Sequence, residues 1–162
     1  MTSPAFMHDV GAFLTVSNVF NPRIVTAGTT VENEQTGDVI DRGLGAGSNL
    51  ALSAKIAVPY NYTLAAAKTA TLSFKLQDSA TTASTDFSDY ADKDGTTSNS
   101  VATAATTASQ TPSGILSGDF DLSSAKRYLR VKVTPTLSAT VTDTADIAAV
   151  MVFGGSGALP GS

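Results

Sequence analysis

Thr71-Leu72-Ser73-Phe74-Lys75-Leu76-Gln77 decides the fold class. Leu72, Phe74 and Leu76 alternate with Thr71, Ser73, Lys75 and Gln77, a period of two that sends three large apolar groups to one side and the polar groups to the other. This is the clearest strand of the chain. The same rhythm recurs upstream, where Leu50, Leu52, Ala54, Ile56 and Val58 alternate with Ala51, Ser53, Lys55 and Ala57, predicting a half-buried strand that stops at Pro59. Between the two, Ala65-Ala66-Ala67-Lys68 has helical propensity but is too short to stand alone, so one turn at most is expected there.

Downstream, Ile115 to Leu122 predicts a strand in which Gly118 marks a bulge or a close backbone approach. Leu129, Val131 and Val133 alternate with Tyr128, Arg130 and Lys132 as far as Pro135. Ile147 to Phe153 is apolar on both faces, which requires a strand that is central or covered. Gly154-Gly155-Ser156-Gly157 is expected to end it, leaving 154–162 as a loose tail. Towards the N-terminus, Phe13 to Val16, Ser17 to Phe20 and Arg23 to Val25 read as short strands between turn residues at Asn21-Pro22, Ala27-Gly28 and Thr36-Gly37-Asp38. Residues 1–20 are expected to form an extended arm. The stretch from Asp78 to Ser113 is Thr/Ala/Ser-rich with Phe87, Tyr90 and Val101 as its large anchors, so it predicts long loops and one or two edge strands. Many short strands and no convincing helix give an all-β fold, a jelly-roll-like β-sandwich, as a single domain over 1–162.

A chain of 162 residues is long enough for one core. It contains no cysteine, which excludes disulfides and thiolate metal sites. Charged residues make up 15% of the chain against about 25% in an ordinary soluble domain, and Ala, Thr, Ser and Gly fill the difference, predicting a largely neutral polar surface. The net charge of -4 and the scatter of the ten basic residues argue against a nucleic-acid partner. The opening Met1-Thr2-Ser3-Pro4 lacks a signal-peptide pattern and no apolar run reaches membrane-spanning length, so a soluble protein made in a cytoplasm, without a membrane partner, is expected.

The residues offer little for catalysis. The one histidine, His8, stands near the start of the chain, so a nucleophile–base pair built on imidazole is not expected. Gly43-Leu44-Gly45-Ala46-Gly47-Ser48 is the Gly-rich candidate for a phosphate cradle, but no Gly-Lys-Ser/Thr follows and the next segment has strand periodicity; an inter-strand loop explains it. Asp92, Asp94 and Gly95 match three places of an EF-hand loop, but Tyr90 stands where its first Asp belongs and no Glu fills its twelfth place. A calcium site of another kind, from Asp89, Asp92 and Asp94, competes with a plain Asp-Gly turn. Glu32, Glu34, Asp119 and Asp121 could supply a carboxylate pair, though nothing in their spacing selects one. The absence of Trp leaves a carbohydrate-binding cleft without its usual platform. No enzyme, no metal and no cofactor is expected.

Lys126-Arg127-Tyr128-Leu129-Arg130-Val131 is the one concentrated basic feature. On a strand Lys126, Tyr128, Arg130 and Lys132 share a face, which is either a solvated surface or a contact surface for an acidic neighbour with Tyr128 and Arg130 as anchors.

The sequences Gly114-Ile115-Leu116 through Phe120-Asp121-Leu122, Lys126 through Val131, and Asp146-Ile147-Ala148-Ala149-Val150-Met151-Val152, with Thr71 through Asp78 before them, resemble the capsid cement proteins of tailed phages of the Bordetella-phage type. Arg127-Tyr128-Leu129-Arg130 is the most specific part, and the resemblance runs with gaps from Leu50 to Phe153. It implies a jelly-roll-like fold, oligomers on the outside of an expanded icosahedral shell, and no catalytic residues. The expected partners are then the major capsid protein and further copies of the chain, as dimer or trimer. Phe6 and Phe13 of the arm join Tyr128 and Arg130 as expected protein contacts. A tail or fibre component, or an extracellular carbohydrate-binding sandwich, is the alternative; the symmetry of the assembled oligomer separates the two.

Overall fold

Strand periodicity governs nearly every segment of the computed structural model, which describes residues 14–27, 34–43, 50–90, 98–103, 108–138 and 142–156. In chain order the strands are β1 (Thr15–Thr26), β2 (Gln35–Thr36), β3 (Ile40–Asp41), β4 (Ala51–Thr63), β5 (Thr69–Ser79), β6 (Ser88–Asp89), β7 (Ser98–Thr103), β8 (Ser113–Asp121), β9 (Tyr128–Leu137) and β10 (Thr144–Ser156). A single short 3-10 turn, Ser84–Asp86, is the helical element among the described residues.

These strands make two antiparallel sheets. One runs β1-β10-β4-β8; in the other β9 and β5 lie side by side, with β2 and β3 sharing the outer edge of β9, and β6 and β7 sharing the outer edge of β5. Counting each shared edge as one strand position, the first position pairs with the last, the second with the seventh, the third with the sixth and the fourth with the fifth. That nesting is the rolled-up double Greek key of a jelly roll, as the sequence predicted.

The inner faces form one core. Leu72, Phe74 and Leu76 of β5 and Leu129, Val131 and Val133 of β9 meet Ile56, Val58, Ile147, Met151 and Phe153 of the first sheet, all buried. The Phe74 and Phe120 rings, one from each sheet, lie tilted with centroids 6.1 Å apart. At one corner the backbone of Gly37 donates to the Val131 carbonyl (2.8 Å) and Asp38 donates to that of Val19 (2.9 Å), joining β1 to β9. At another corner, Tyr90 donates its backbone N–H to Leu76 and its hydroxyl to the Asp121 carbonyl (2.6 Å).

Several boundaries differ from the sequence reading, each for a local reason. β4 continues through Pro59 to Thr63, in a strand with neighbours on both sides. The alternation fixed by Tyr62 N–H donating to Pro112 turns the backbone of position 59 away from β8 and towards β10, where the pairing lapses between Tyr60 and Ala57 without a change of register. The missing N–H therefore removes one rung and not the strand. β9 likewise runs past Pro135 to Leu137, because position 135 turns its nitrogen away from β5, beyond the last described partner on that side, Gln35 opposite Val133. Gly118 pairs in unbroken register with Ile56, so there is no bulge; the close approach falls at Gly114, where a Cβ would stand 2.6 Å from the Tyr60 hydroxyl.

Leu52 faces outward while Ala51 and Ala54 are buried. Asn21-Pro22 is not a turn but an irregular stretch inside β1, where the register with β10 shifts between Asn18 and Phe20 and again between Phe20 and Arg23. Within the segment expected as an arm, 15–20 is strand, because Val19 and Phe20 bury their side chains in the core. Within the expected tail, 154–156 still belongs to β10. The 78–113 stretch supplies β6 and β7, both on the edge of β5, and the Ala65–Lys68 stretch is a single turn closed by Lys68 N–H on the Ala65 carbonyl (3.2 Å).

Candidate functional site

The two outward faces of the sandwich have opposite chemistry. On the β9–β5 sheet the period of two sends Tyr128, Arg130 and Lys132 outward beside Lys75 and Gln77, and these groups satisfy one another. Arg130 Nε donates to Gln77 Oε1 (2.8 Å) and its guanidinium lies 4.3 Å from the Phe87 ring centroid. Gln77 in turn donates to Asp89 (2.5 Å), and Lys75 bridges Asp89 (3.2 Å) and Glu34 (3.5 Å), which also pairs with Lys132. At the end of the sheet Arg127 grips Asp41 through two nitrogens (2.8 and 3.0 Å) and leans over Tyr128. The Lys132 hydrogen bond holds the Glu34 carboxyl below its usual pKa, the Arg127 hydrogen bond does so for Asp41, and the Gln77 hydrogen bond, aided by Lys75, for Asp89.

The β1-β10-β4-β8 sheet presents the other kind of surface. Register places its outward side chains in rows across the four strands: Val16, Val152, Lys55, Asp119; then Asn18, Val150, Ala57, Ser117; then Ala148, Pro59 and Ile115; then Ile24, Asp146, Asn61, Ser113. Val16, Ile24 and Ile115 are 67%, 72% and 69% exposed. Among the described residues this face carries the Lys55–Asp119 ion pair (2.9 Å), near the exposed Leu14. Scattered single apolar residues on a surface need no explanation, but here the Ala148–Pro59–Ile115 row is apolar throughout and exposed aliphatic side chains flank it on either side, the composition of a contact surface.

The sequence had marked Tyr128 and Arg130 as contacts. They share one outer face, on the side opposite the apolar one, and Arg130 is committed to Gln77 and Phe87. Phe6 and Phe13 lie outside the described residues, as do His8 and Glu32, as well as Asp92 and Asp94 of the calcium candidate, whose Asp89 is engaged with Lys75 and Gln77. Glu34 and Asp119 sit on opposite outer faces, so they do not meet as a catalytic pair. Among the described residues no group of three or more His, Asp or Glu side chains converges as metal ligands. A shallow hollow at the edge of the apolar face, lined by Leu14, Lys55, Asp119, Val152 and Gly154, is open to solvent.

The apolar face was missed in the sequence, although one signal pointed to it. Ile147 to Phe153 is apolar on both sides, and β10 is indeed central in its sheet. Centrality accounts for the paired backbone, but only the inner residues Ile147, Ala149, Met151 and Phe153 are core; Ala148, Val150 and Val152 face outward and are half-buried.

No protein-family model matches the chain, and no curated protein matches it. Among solved structures, the chain is similar to one in the structure of infectious bursal disease virus, Gx strain, at 11% sequence identity and a TM-score of 0.32, over 88% of this chain and 35% of that one. The chain thus spans about a third of the length of that neighbour.

Proposed function

We propose that this protein is a structural component of a virion that binds the outside of an expanded icosahedral phage shell and cements adjacent major capsid subunits, acting by adhesion and not by catalysis. The observation that carries the reading is the contrast between the outer faces: one dense with its own ion pairs, the other a sheet face with a wholly apolar central row and three aliphatic side chains about two-thirds exposed. Ion pairs such as Arg127–Asp41 keep the first face soluble without offering it to a partner. The second face gains free energy only when something covers it.

Cementing follows from linkage. A protein that binds the assembled shell and not its separated subunits stabilises the shell in proportion to its occupancy, and so opposes the pressure of packaged DNA. Modest contacts suffice, because symmetry repeats them and engagement at one position raises the effective concentration at the next. The resemblance of the Gly114–Leu122, Lys126–Val131 and Asp146–Val152 segments to phage cement proteins supports the same reading.

The test is to mix the purified chain with expanded, empty shells. Saturable binding at icosahedral positions with a raised disruption temperature supports the proposal. Failure to bind any shell form, or incorporation only at a threefold fibre or sixfold tail ring, overturns it.

A further inference from the structure

The sheet that carries the apolar face has two edges, and they are not equivalent. The β1 edge is interrupted by Pro22 and by two register shifts against β10. Such irregularities are how sheet edges avoid pairing with other chains. The β8 edge has none of them. Its register with β4 is continuous from Ser53 opposite Asp121 to Asn61 opposite Ser113, and among the described residues no strand covers its other side. The alternation fixed by Tyr62 N–H on Pro112 and by Leu122 N–H on Leu52 (2.8 Å) turns the backbone groups of Ser113, Ile115, Ser117 and Asp119 away from β4.

We infer that β8 pairs antiparallel with β8 of a second copy of this chain, about a twofold axis at Ile115. In this register Ile115 stands opposite Ile115 of the second copy, and Ser113 opposite Ser117. On the inner side Gly114 stands opposite Leu116, small against large. Like therefore meets like on the outer face, and no charge lies within the paired stretch. Centring the pair on Ser117 would instead set Asp119 against Ile115, and centring it on Asp119 would oppose two carboxylates. Asp119, already bound to Lys55 of its own chain, lies beyond the paired stretch at either end.

The second copy is favoured over a different chain because an antiparallel edge with this pattern is its own complement, and a twofold contact closes upon itself. Growth beyond a dimer would require the β1 edge, which its proline and bulges obstruct. The Ala148–Pro59–Ile115 row would then continue into the same row of the partner, so two sheets become one and the apolar face doubles. The inference does not depend on the shell reading, since it concerns the free protein.

Sedimentation of the isolated chain tests it, together with four single substitutions. The native chain is expected to sediment as a dimer. Ser117→Pro, which removes an N–H that β4 does not use, and Ile115→Lys, which places charge on the axis, are each expected to give a folded monomer. Should the proline variant fail to fold, the lysine variant decides. Because the chain has no cysteine, Ile115→Cys adds a unique thiol. On the axis its Cα lies about 5.5 Å from its twin, within disulfide reach, so oxidation is expected to crosslink the dimer. A native monomer at all concentrations, a dimer that survives Ile115→Lys, or a dimer dispersed instead by Ile24→Lys overturns the inference. These measurements use no shells, so their failure is distinct from a failure to bind shells.

Discussion

Gly37 lies against Val19 so closely that a Cβ at position 37 would enter the van der Waals surface of Val19 Cγ1, and it would also stand 3.0 Å from the Val131 carbonyl oxygen. The contact falls where the two sheets meet, between the Gly37–Val131 and Asp38–Val19 hydrogen bonds. Val19 is fully buried and cannot swing aside without disturbing the core. Gly37→Ala is therefore expected to destabilise the fold by about 1–3 kcal/mol, the usual cost of overpacking. Urea denaturation followed by circular dichroism checks it; an unchanged midpoint would mean that the corner gives way freely.

Arg42 is a second joint. It is only 3% exposed, and its guanidinium donates to the carbonyls of Ala51 (2.9 Å), Leu122 (2.5 Å) and Ala125. Among the described residues no carboxylate pairs with it, and burial pulls its pKa down from the ordinary arginine value. Arg42→Met keeps most of the apolar stem but leaves the carbonyls without their donor, at about 1–3 kcal/mol for each one left dry. The expected loss is about 3 kcal/mol or more. Arg42→Lys should recover little of it, because a point ammonium cannot reproduce the planar fork. Full stability in the lysine variant would show that charge and not geometry holds this joint.

Acid should loosen the β9–β5 sheet first. The carboxyls of Glu34, Asp41 and Asp89 all titrate below their ordinary values of 4.5, 3.8 and 3.8 because Lys132, Arg127 and Gln77 bond their ionised forms. A group whose folded pKa is depressed contributes stability that is whole above its unfolded pKa and disappears as pH falls through the folded one. Stability is thus expected to hold from neutrality down to about pH 4.5 and to decline below it, less steeply in the triple variant Glu34→Gln, Asp41→Asn, Asp89→Asn. Denaturation midpoints against pH test this, and a decline that begins near pH 6 would contradict it.

Alkali is expected to reveal a silent phenol at Tyr62. Tyr62 is fully buried, its hydroxyl lies 3.4 Å from the Thr71 carbonyl, and burial, with the nearby Tyr60, pushes its pKa well above 10.0. Because the folded value lies above the unfolded one, the neutral ring's contribution is complete below pH 10 and is lost as pH climbs past it. Ultraviolet titration should show Tyr62 ionising only as the fold opens, and Tyr62→Phe should remove that delayed step.

Alternation of side chains carried most of the fold. Leu72, Phe74 and Leu76 announce β5, and Leu129, Val131 and Val133 announce β9, because inward and outward residues differ sharply in polarity. The errors cluster where the deciding fact is a neighbour's position. Whether Pro59 or Pro135 ends a strand depends on which side its missing N–H faces, and that is set by partners distant in the chain. Gly118 and Gly114 look alike in sequence; only the Tyr60 ring separates them. The exposed apolar residues were obscured for a related reason. Tyr128 and Arg130 stand out by type, yet Arg130 is occupied by Phe87 and Gln77. Val16, Ile24 and Ile115 look like ordinary strand residues until the register sets them on one outer face.

That face makes the last prediction. If it is the surface that meets the shell, Val16→Thr with Ile24→Thr removes apolar area from the contact while leaving the inner core untouched. Burying an aliphatic side chain is worth about 1.5–3 kcal/mol, and each 1.4 kcal/mol is about tenfold in affinity, so the pair should weaken binding to expanded shells by about tenfold to a hundredfold. The free protein's stability should change by less than about 1 kcal/mol, since both residues are exposed in it. Arg130→Ala provides the opposite case: it breaks the bond to Gln77 and the stacking on Phe87, so it should cost stability of about 1 kcal/mol while leaving shell affinity unchanged. Quantitative binding to purified shells, run beside denaturation of each variant, distinguishes the faces. Strong loss of binding in Arg130→Ala with normal binding in the threonine pair would move the contact to the charged sheet.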